Sequence, residues 1–440
     1  MKLYNTTHPS DPVHQYGVLI YNISHYPNLP MSHTTTQKIH KTHFSYLDSY
    51  RFYAFLTVFV AHMVVFISFP FENISFDRLF RAFTQIGDLG VAFFFVLSGF
   101  LINYLLKNEL RASKSASTTG NISIKSFYVR RILRIWPLYF FSIILILTLS
   151  WLILSVSNFR FYEIFINSKE FFYHIFMSGS IFRGMFGTDN DMLAVLWSIS
   201  VEEQFYLVWP LLFYMFRKNI LWIIVGMLII SSASRYYFLG DYDALRYLTP
   251  TIMSYLMIGA ASGIYYEKIL KFISRFNRIK KAGPSILVSI ILAITFIRGY
   301  VYEFNIPAMF EIFLPLIFGT LFALVIILAT ERKINQKQSF SSLRLKIHNT
   351  TTYLGRISYG LYVYHMIALT ILLFVLDKIW FSNVTGEGGA VGTETVMSSQ
   401  ISIPTFLIIS TICLLLTILI SSMSFKYLEK PFLKFKRKFS

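Results

Sequence analysis

Residues 47–70 read LDSYRFYAFLTVFVAHMVVFISFP. Apart from a few hydroxyls and the acid Asp48, this stretch is apolar, with Arg51 at its leading edge and His62 in its middle. A helical run of about twenty such residues matches the hydrocarbon core of a bilayer, so the stretch reads as a membrane span. Arg51 and His62 stand eleven positions apart. At 100° per residue they fall within about 20° of one another on one helical face, separated by about 16 Å of rise. One stripe therefore carries a cation at the membrane edge and an imidazole near mid-depth. Ionisable groups inside a span are costly unless they face protein or water, which makes His62 a functional candidate. Its structural alternative is a histidine hydrogen-bonded to a neighbouring helix.

The whole chain agrees with a membrane setting. Of 440 residues, 55% are apolar and only 14% charged, with 45 Phe and 28 Tyr, the composition of an integral membrane protein. A net charge of +18 could suggest nucleic acid, but the basic residues cluster in short segments between apolar runs, as in cytoplasmic loops. No nucleic-acid partner is expected. The single cysteine, Cys413, lies in a late apolar run, so neither a disulfide framework nor a CxxC metal site is available. Residues 1–45 are polar and hold six of the ten histidines (His8, His14, His25, His33, His40 and His43) without zinc-type spacing. We read them as a mobile cytoplasmic tail, with Met31 an alternative start, and expect no metal. The first apolar run begins too late for a cleavable signal peptide.

Ten apolar runs of spanning length follow, at about 52–70, 89–107, 134–155, 193–216, 219–238, 250–267, 283–300, 309–330, 353–377 and 401–424. If the first enters from the cytoplasm, the inner connections hold 26 Lys and Arg and the outer ones 9. That asymmetry predicts an all-α integral membrane protein of about ten transmembrane helices with both termini cytoplasmic. The membrane domain spans 46–432, and residues 433–440 form a basic tail. Among the outer loops, 156–192 is the longest, and 378–400 is rich in Gly, Ser and Thr. No internal repeat supports transporter-type symmetry.

This topology sets the depth of the polar residues. His62, Ser98, Glu202 and His365 all fall near mid-bilayer, where they could line one chamber. Glu202 and Glu203 are adjacent and point about 100° apart, so they hardly share a cavity. A carboxylate at that depth needs a partner, with His62 or an arginine the first choices. In RISYGLYVYHM, Ser358, Tyr362 and His365 share a face; Tyr362 alone reads as a packing residue. At the inner surface, YVRRILRIWPLYF supplies Arg130, Arg131 and Arg134 at the level of Arg51. Any one of them is explained by positive-inside anchoring, yet four guanidiniums could converge on a phosphate-bearing donor with a long arm.

On these residues the chain resembles the membrane-bound acyltransferase-3 family, which includes bacterial surface-polysaccharide O-acetyltransferases. LDSYRFYAFLTVFVAH matches the family signature of Arg or Lys, ten residues, then His. GVAFFFVLSGFLI, RRILRIWP, WSISVEEQFYL, ISYGLYVYH and YLEKPF match further blocks in order, from about Leu47 to Pro431. Ser49 and Tyr50 stand where the family usually has Gly and Leu. The resemblance implies transfer of an acyl group, acetyl in most members, from cytoplasmic acyl-CoA to a hydroxyl of a cell-surface glycan or its lipid-linked precursor. O-antigen, lipopolysaccharide and exopolysaccharide sugars are the frequent acceptors. It implies His62 as catalytic base, Arg51 as its inner-face partner and a CoA contact, and Glu202 as a further essential residue. Arg130, Arg131 and Arg134 would bind the donor; His365, Ser98 and Tyr362 would lie on the acceptor side. A bacterial inner-membrane, multi-pass location follows. The short segment after the tenth run argues against two-domain members with an extracellular module. Direct transfer and an acyl-histidine intermediate are both open, and the main rival is a polytopic transporter or flippase of a lipid-linked sugar.

Overall fold

The computed structural model describes residues 44–66, 74–115, 124–156, 167–188, 190–273, 275–301, 308–331, 342–376 and 402–435. The tail's histidines, the 378–400 loop and residues 436–440 lie outside these. The described chain is helical, with no strand among these residues. In order the helices are α1 (Ser45–Phe66), α2 (Ile74–Ser115), α3 (Ile124–Val156), α4 (Ser168–Ile175), α5 (Gly179–Phe186), α6 (Asp191–Ala194) and α7 (Trp197–Met215). Then come α8 (Ile220–Tyr237), α9 (Tyr242–Tyr247), α10 (Thr249–Ile264), α11 (Tyr266–Ile273), α12 (Asn277–Val301) and α13 (Ala308–Thr330). The last are α14 (Ser342–Arg356), α15 (Ser358–Leu376), α16 (Ile403–Ser424), a π-helical turn (Phe425–Glu429) and α17 (Lys430–Phe435).

A helix occupies each of the ten apolar runs. Six described segments are long and apolar enough to cross a membrane: 84–111 in α2, α3, α8, 309–330 in α13, α15, and 403–435 through α16 and α17. Two helices outside that set, α1 and α7, carry His62 and Glu202. Glu202, Glu203 and Gln204 lower the hydropathy of α7, and α1 carries Asp48, Arg51 and His62 among its apolar residues. Residues that bear chemistry thus lower the hydropathy of the helices that carry them. The 156–192 connection, expected as a loop, folds into α4, α5 and α6; Asn167 and Asn190 cap α4 and α6 by accepting hydrogen bonds from backbone N–H groups.

Helix α2 is the centre of the packing. It contacts α1, α7, α10, α12 and α13. Where no hydrophobic force separates helix from lipid, close approach over small residues holds spans together. On α10, Gly259 and Gly263 stand four apart, and their Cα atoms rest against the Val96 and Phe100 backbone of α2; Gly99 returns the contact against Leu256. On the other side of α2, Gly87 and Gly90 rest against Ala61 and Ala54 of α1. Two seams therefore fix α1, α2 and α10 together, and with them His62 and Ser98.

Candidate active site

The imidazole pair lies where α1 faces α15. His62 Nδ1 is 2.9 Å from the Val58 carbonyl one turn earlier. His365 is buried, with Nδ1 2.6 Å from the Tyr362 carbonyl and Nε2 3.4 Å from His62 Nδ1. The ring centroids are 4.9 Å apart, and Phe55 packs edge-on against His365. These contacts assign the tautomers. A neutral His365 donates its Nδ1–H to Tyr362 and accepts at Nε2. His62 then carries its proton on Nδ1, shared between the Val58 carbonyl and His365 Nε2, and its lone pair on Nε2. That is the form a general base needs.

Glu202 is held from two helices. Ser98 Oγ of α2 donates to Oε1 at 2.8 Å, and Tyr206 OH, one turn along α7, donates to Oε2 at 2.9 Å. Above the Tyr206 ring sits the Arg131 guanidinium, 5.0 Å from its centroid and 5.4 Å from that of Phe127. Glu203 points elsewhere, accepting from Trp136 Nε1 at 3.0 Å, as the 100° divergence requires. Tyr362 lies between the two groups: its ring is 5.7 Å from His365 and 6.4 Å from Phe94, and its hydroxyl accepts at 2.8 Å from Ser198 Oγ, one turn before Glu202 on α7.

The inner arginines divide. Arg51 pairs with the buried Asp48 at 2.6 Å, and Arg356 of α14 approaches the other Asp48 oxygen at 3.8 Å. The exposed Arg134 lies within electrostatic reach of both Arg51 and Arg131 and so joins the two. Arg130 is drawn off to Glu109 at 2.6 Å. Three guanidiniums, not four, therefore share a neighbourhood. Among the described residues no group of His, Cys, Asp and Glu is arranged to hold a metal.

Some participants were not singled out from sequence. Tyr206 had a signal, its i+4 spacing from Glu202. Asp48 had one too, three residues before Arg51. The direct engagement of His365 by His62, 303 positions away, had only their common expected depth as a signal.

Comparison with known proteins bears on this arrangement. No solved structure matches the chain. Peptidoglycan O-acetyltransferase OatA of Listeria monocytogenes is 29% identical over 328 residues, covering 67% of this chain and 47% of that protein. O-acetyltransferase OatA of Staphylococcus aureus is 25% identical over 368 residues, covering 79% of this chain and 53% of that protein. The chain thus spans about half the length of the curated relatives it matches. The acyltransferase-3 family model, described as an acyltransferase domain, matches residues 44–422, which include α1, α2, α3, α7 and α15 and so every residue of the site just described; the chain belongs to that family.

Proposed function

We propose that the protein is a multi-pass enzyme of the bacterial inner membrane that transfers an acetyl group from cytoplasmic acyl-CoA to a hydroxyl of a glycan on the far side. The observation that carries this reading is an imidazole in the span whose Nδ1 lies against the Val58 carbonyl and His365 Nε2, an arrangement that favours the tautomer with its lone pair on Nε2. The lone pair takes the acceptor's hydroxyl proton as that oxygen attacks the thioester carbonyl. The C–S bond then breaks, and the imidazolium returns the proton to the leaving thiolate. Positive charge formed on His62 is shared through Nδ1–H with the Val58 carbonyl and His365 Nε2.

The remaining geometry suits a donor entering from the inner face. Arg51, Arg131 and Arg134 offer forked donors to phosphates, and the rise from Arg51 to His62 is close to the reach of a pantetheine arm. The ten helices on the ten apolar runs, with the basic inner connections, support ten spans and cytoplasmic termini. For the acceptor, the names of the relatives favour peptidoglycan over O-antigen, lipopolysaccharide or exopolysaccharide.

The test is release of free CoA by purified protein given acetyl-CoA, with and without a glycan extract of the host. Glycan-dependent release that disappears in His62→Ala, with the variant still folded, is expected. Equal release by His62→Ala removes His62 from the mechanism; no release and no CoA binding by the wild type overturns the reading.

A further inference from the structure

A cavity of about 520 Å³ opens beside α2, bounded also by α8, α9, α10, α12, α13 and the start of α7. Its size is that of a small-ligand site. Gln85, Asp88, Trp197, Tyr242, Tyr255 and Arg246 line it. None of them belongs to the constellation around His62, but Gln85 and Asp88 flank Gly87, which packs against Ala61, the residue before His62, so this wall of the cavity runs beside the His62 turn of α1.

The lining specifies the ligand chemistry. Arg246 pairs with Asp88 at 2.5 Å, and Arg235 with Glu311 at 3.5 Å. Each cation is matched by a carboxylate, so the cavity has no net charge with which to draw in a phosphate or a carboxylate. Apolar side chains such as Phe95 and Phe318 complete the wall, so the ligand must also present apolar surface, but a pure hydrocarbon would strip water from the partly exposed Asp88–Arg246 pair without returning a hydrogen bond. What remains is a neutral molecule rich in donors and acceptors. The walls answer that description: among the described residues, Gln85 Oε1 and Arg246 Nε are buried without a hydrogen-bond partner. Turning the Gln85 carboxamide toward the lumen breaks no existing bond of Oε1, so a ligand hydroxyl can claim it at little cost. Tyr242 is 49% exposed, with the Arg246 guanidinium 5.6 Å from its ring centroid and Arg246 Nη1 donating to its hydroxyl at 3.1 Å. It is thus an immobilised aromatic surface, suited to the C–H face of a sugar ring. Arg235 keeps the wall rigid, donating to the carbonyls of Glu311, Leu245 and Thr251.

We propose that this cavity binds a neutral saccharide unit of the acceptor, next to the unit that receives the acyl group. The proposal rests on the acyltransferase reading for its biological sense, but the binding site is testable apart from it. Purified full-length protein in detergent is titrated with chitotetraose and with maltotetraose while tryptophan fluorescence is followed, since Trp197 lines the cavity. A saturable response to one of these oligosaccharides is expected, weakened at least tenfold in Gln85→Ala and in Tyr242→Ala. Gln85→Ala loses no hydrogen bond at Oε1 and retains the wild-type melting temperature, while Tyr242→Ala gives up one exposed contact with Arg246, so its melting temperature is measured beside its affinity. Equal affinity in wild type and both variants, or no saturable response to either sugar, overturns the proposal. Glycan-dependent CoA release measured on the same preparations separates the two failures. Its absence alongside variant-sensitive sugar binding refutes the acyltransferase reading and leaves the site standing; its presence with sugar binding unaffected by the variants refutes the site and leaves the reaction standing.

Discussion

Replacing Gly259 with alanine tests the packing on which the site depends. A Cβ built on Gly259 would lie 2.9 Å from the Val96 carbonyl carbon and 3.0 Å from the Phe100 nitrogen, with the Val96 oxygen closer still. Carbon contacts settle at about 3.5–4.0 Å, so α10 and α2 must part by at least about 0.6–1 Å, and the nearer oxygen demands more. Overpacking of that kind costs about 1–3 kcal/mol. Because Ser98 lies on the stretch of α2 that would move, its hydrogen bond to Glu202 is disturbed as well, and misplacement by about 1 Å at a reacting centre can cost a hundredfold in rate. The control is Gly226→Ala on α8, where nothing lies within 4 Å of the added carbon. There alanine is neutral or stabilises by up to about 1 kcal/mol through helix propensity. Melting would be followed by size exclusion of the detergent-solubilised variants after heating, and turnover by CoA release. Gly259→Ala is expected to melt lower than Gly226→Ala and to lose at least tenfold in rate. If the two melt and turn over alike, the α2–α10 seam does not position the site.

Tyr206→Phe removes one of the two hydroxyl donors to Glu202, at a cost of about 1.5–3 kcal/mol. Denaturation of the purified variant checks this, and a loss under about 0.5 kcal/mol shows that the clamp contributes little to folding. Between α3 and α7, His174 of α4 is buried, and burial followed by the nearby Arg183 lowers its pKa from 6.5 to about 3. The folded state therefore disfavours the proton that the unfolded chain accepts, and the stability is complete above pH 6.5 and lost as pH falls below it. Between pH 7 and 5 the loss is roughly 2 kcal/mol, and His174→Gln should reduce the acid sensitivity of melting by that amount. Unchanged acid sensitivity in the variant would assign it to other groups.

Much of this protein is written along the chain. A helix has one period, so the Arg51 to His62 stripe, the divergence of Glu202 from Glu203 and the helicity of ten apolar runs all follow from spacing alone. Bilayer thickness and loop charge then place polar residues at a common depth. These are local properties, and a one-dimensional reading reaches them. What only the tertiary structure decided is which polar group meets which. His62 is held by a histidine 303 residues away, Glu202 accepts from a serine on another helix, Arg130 is captured by Glu109, and Asp88 finds Arg246 at the edge of a cavity. Such pairings depend on how far glycine seams let α1, α2 and α10 approach and on the rotation each helix adopts. Interhelical packing sets both, and the sequence of any one helix carries no measure of them.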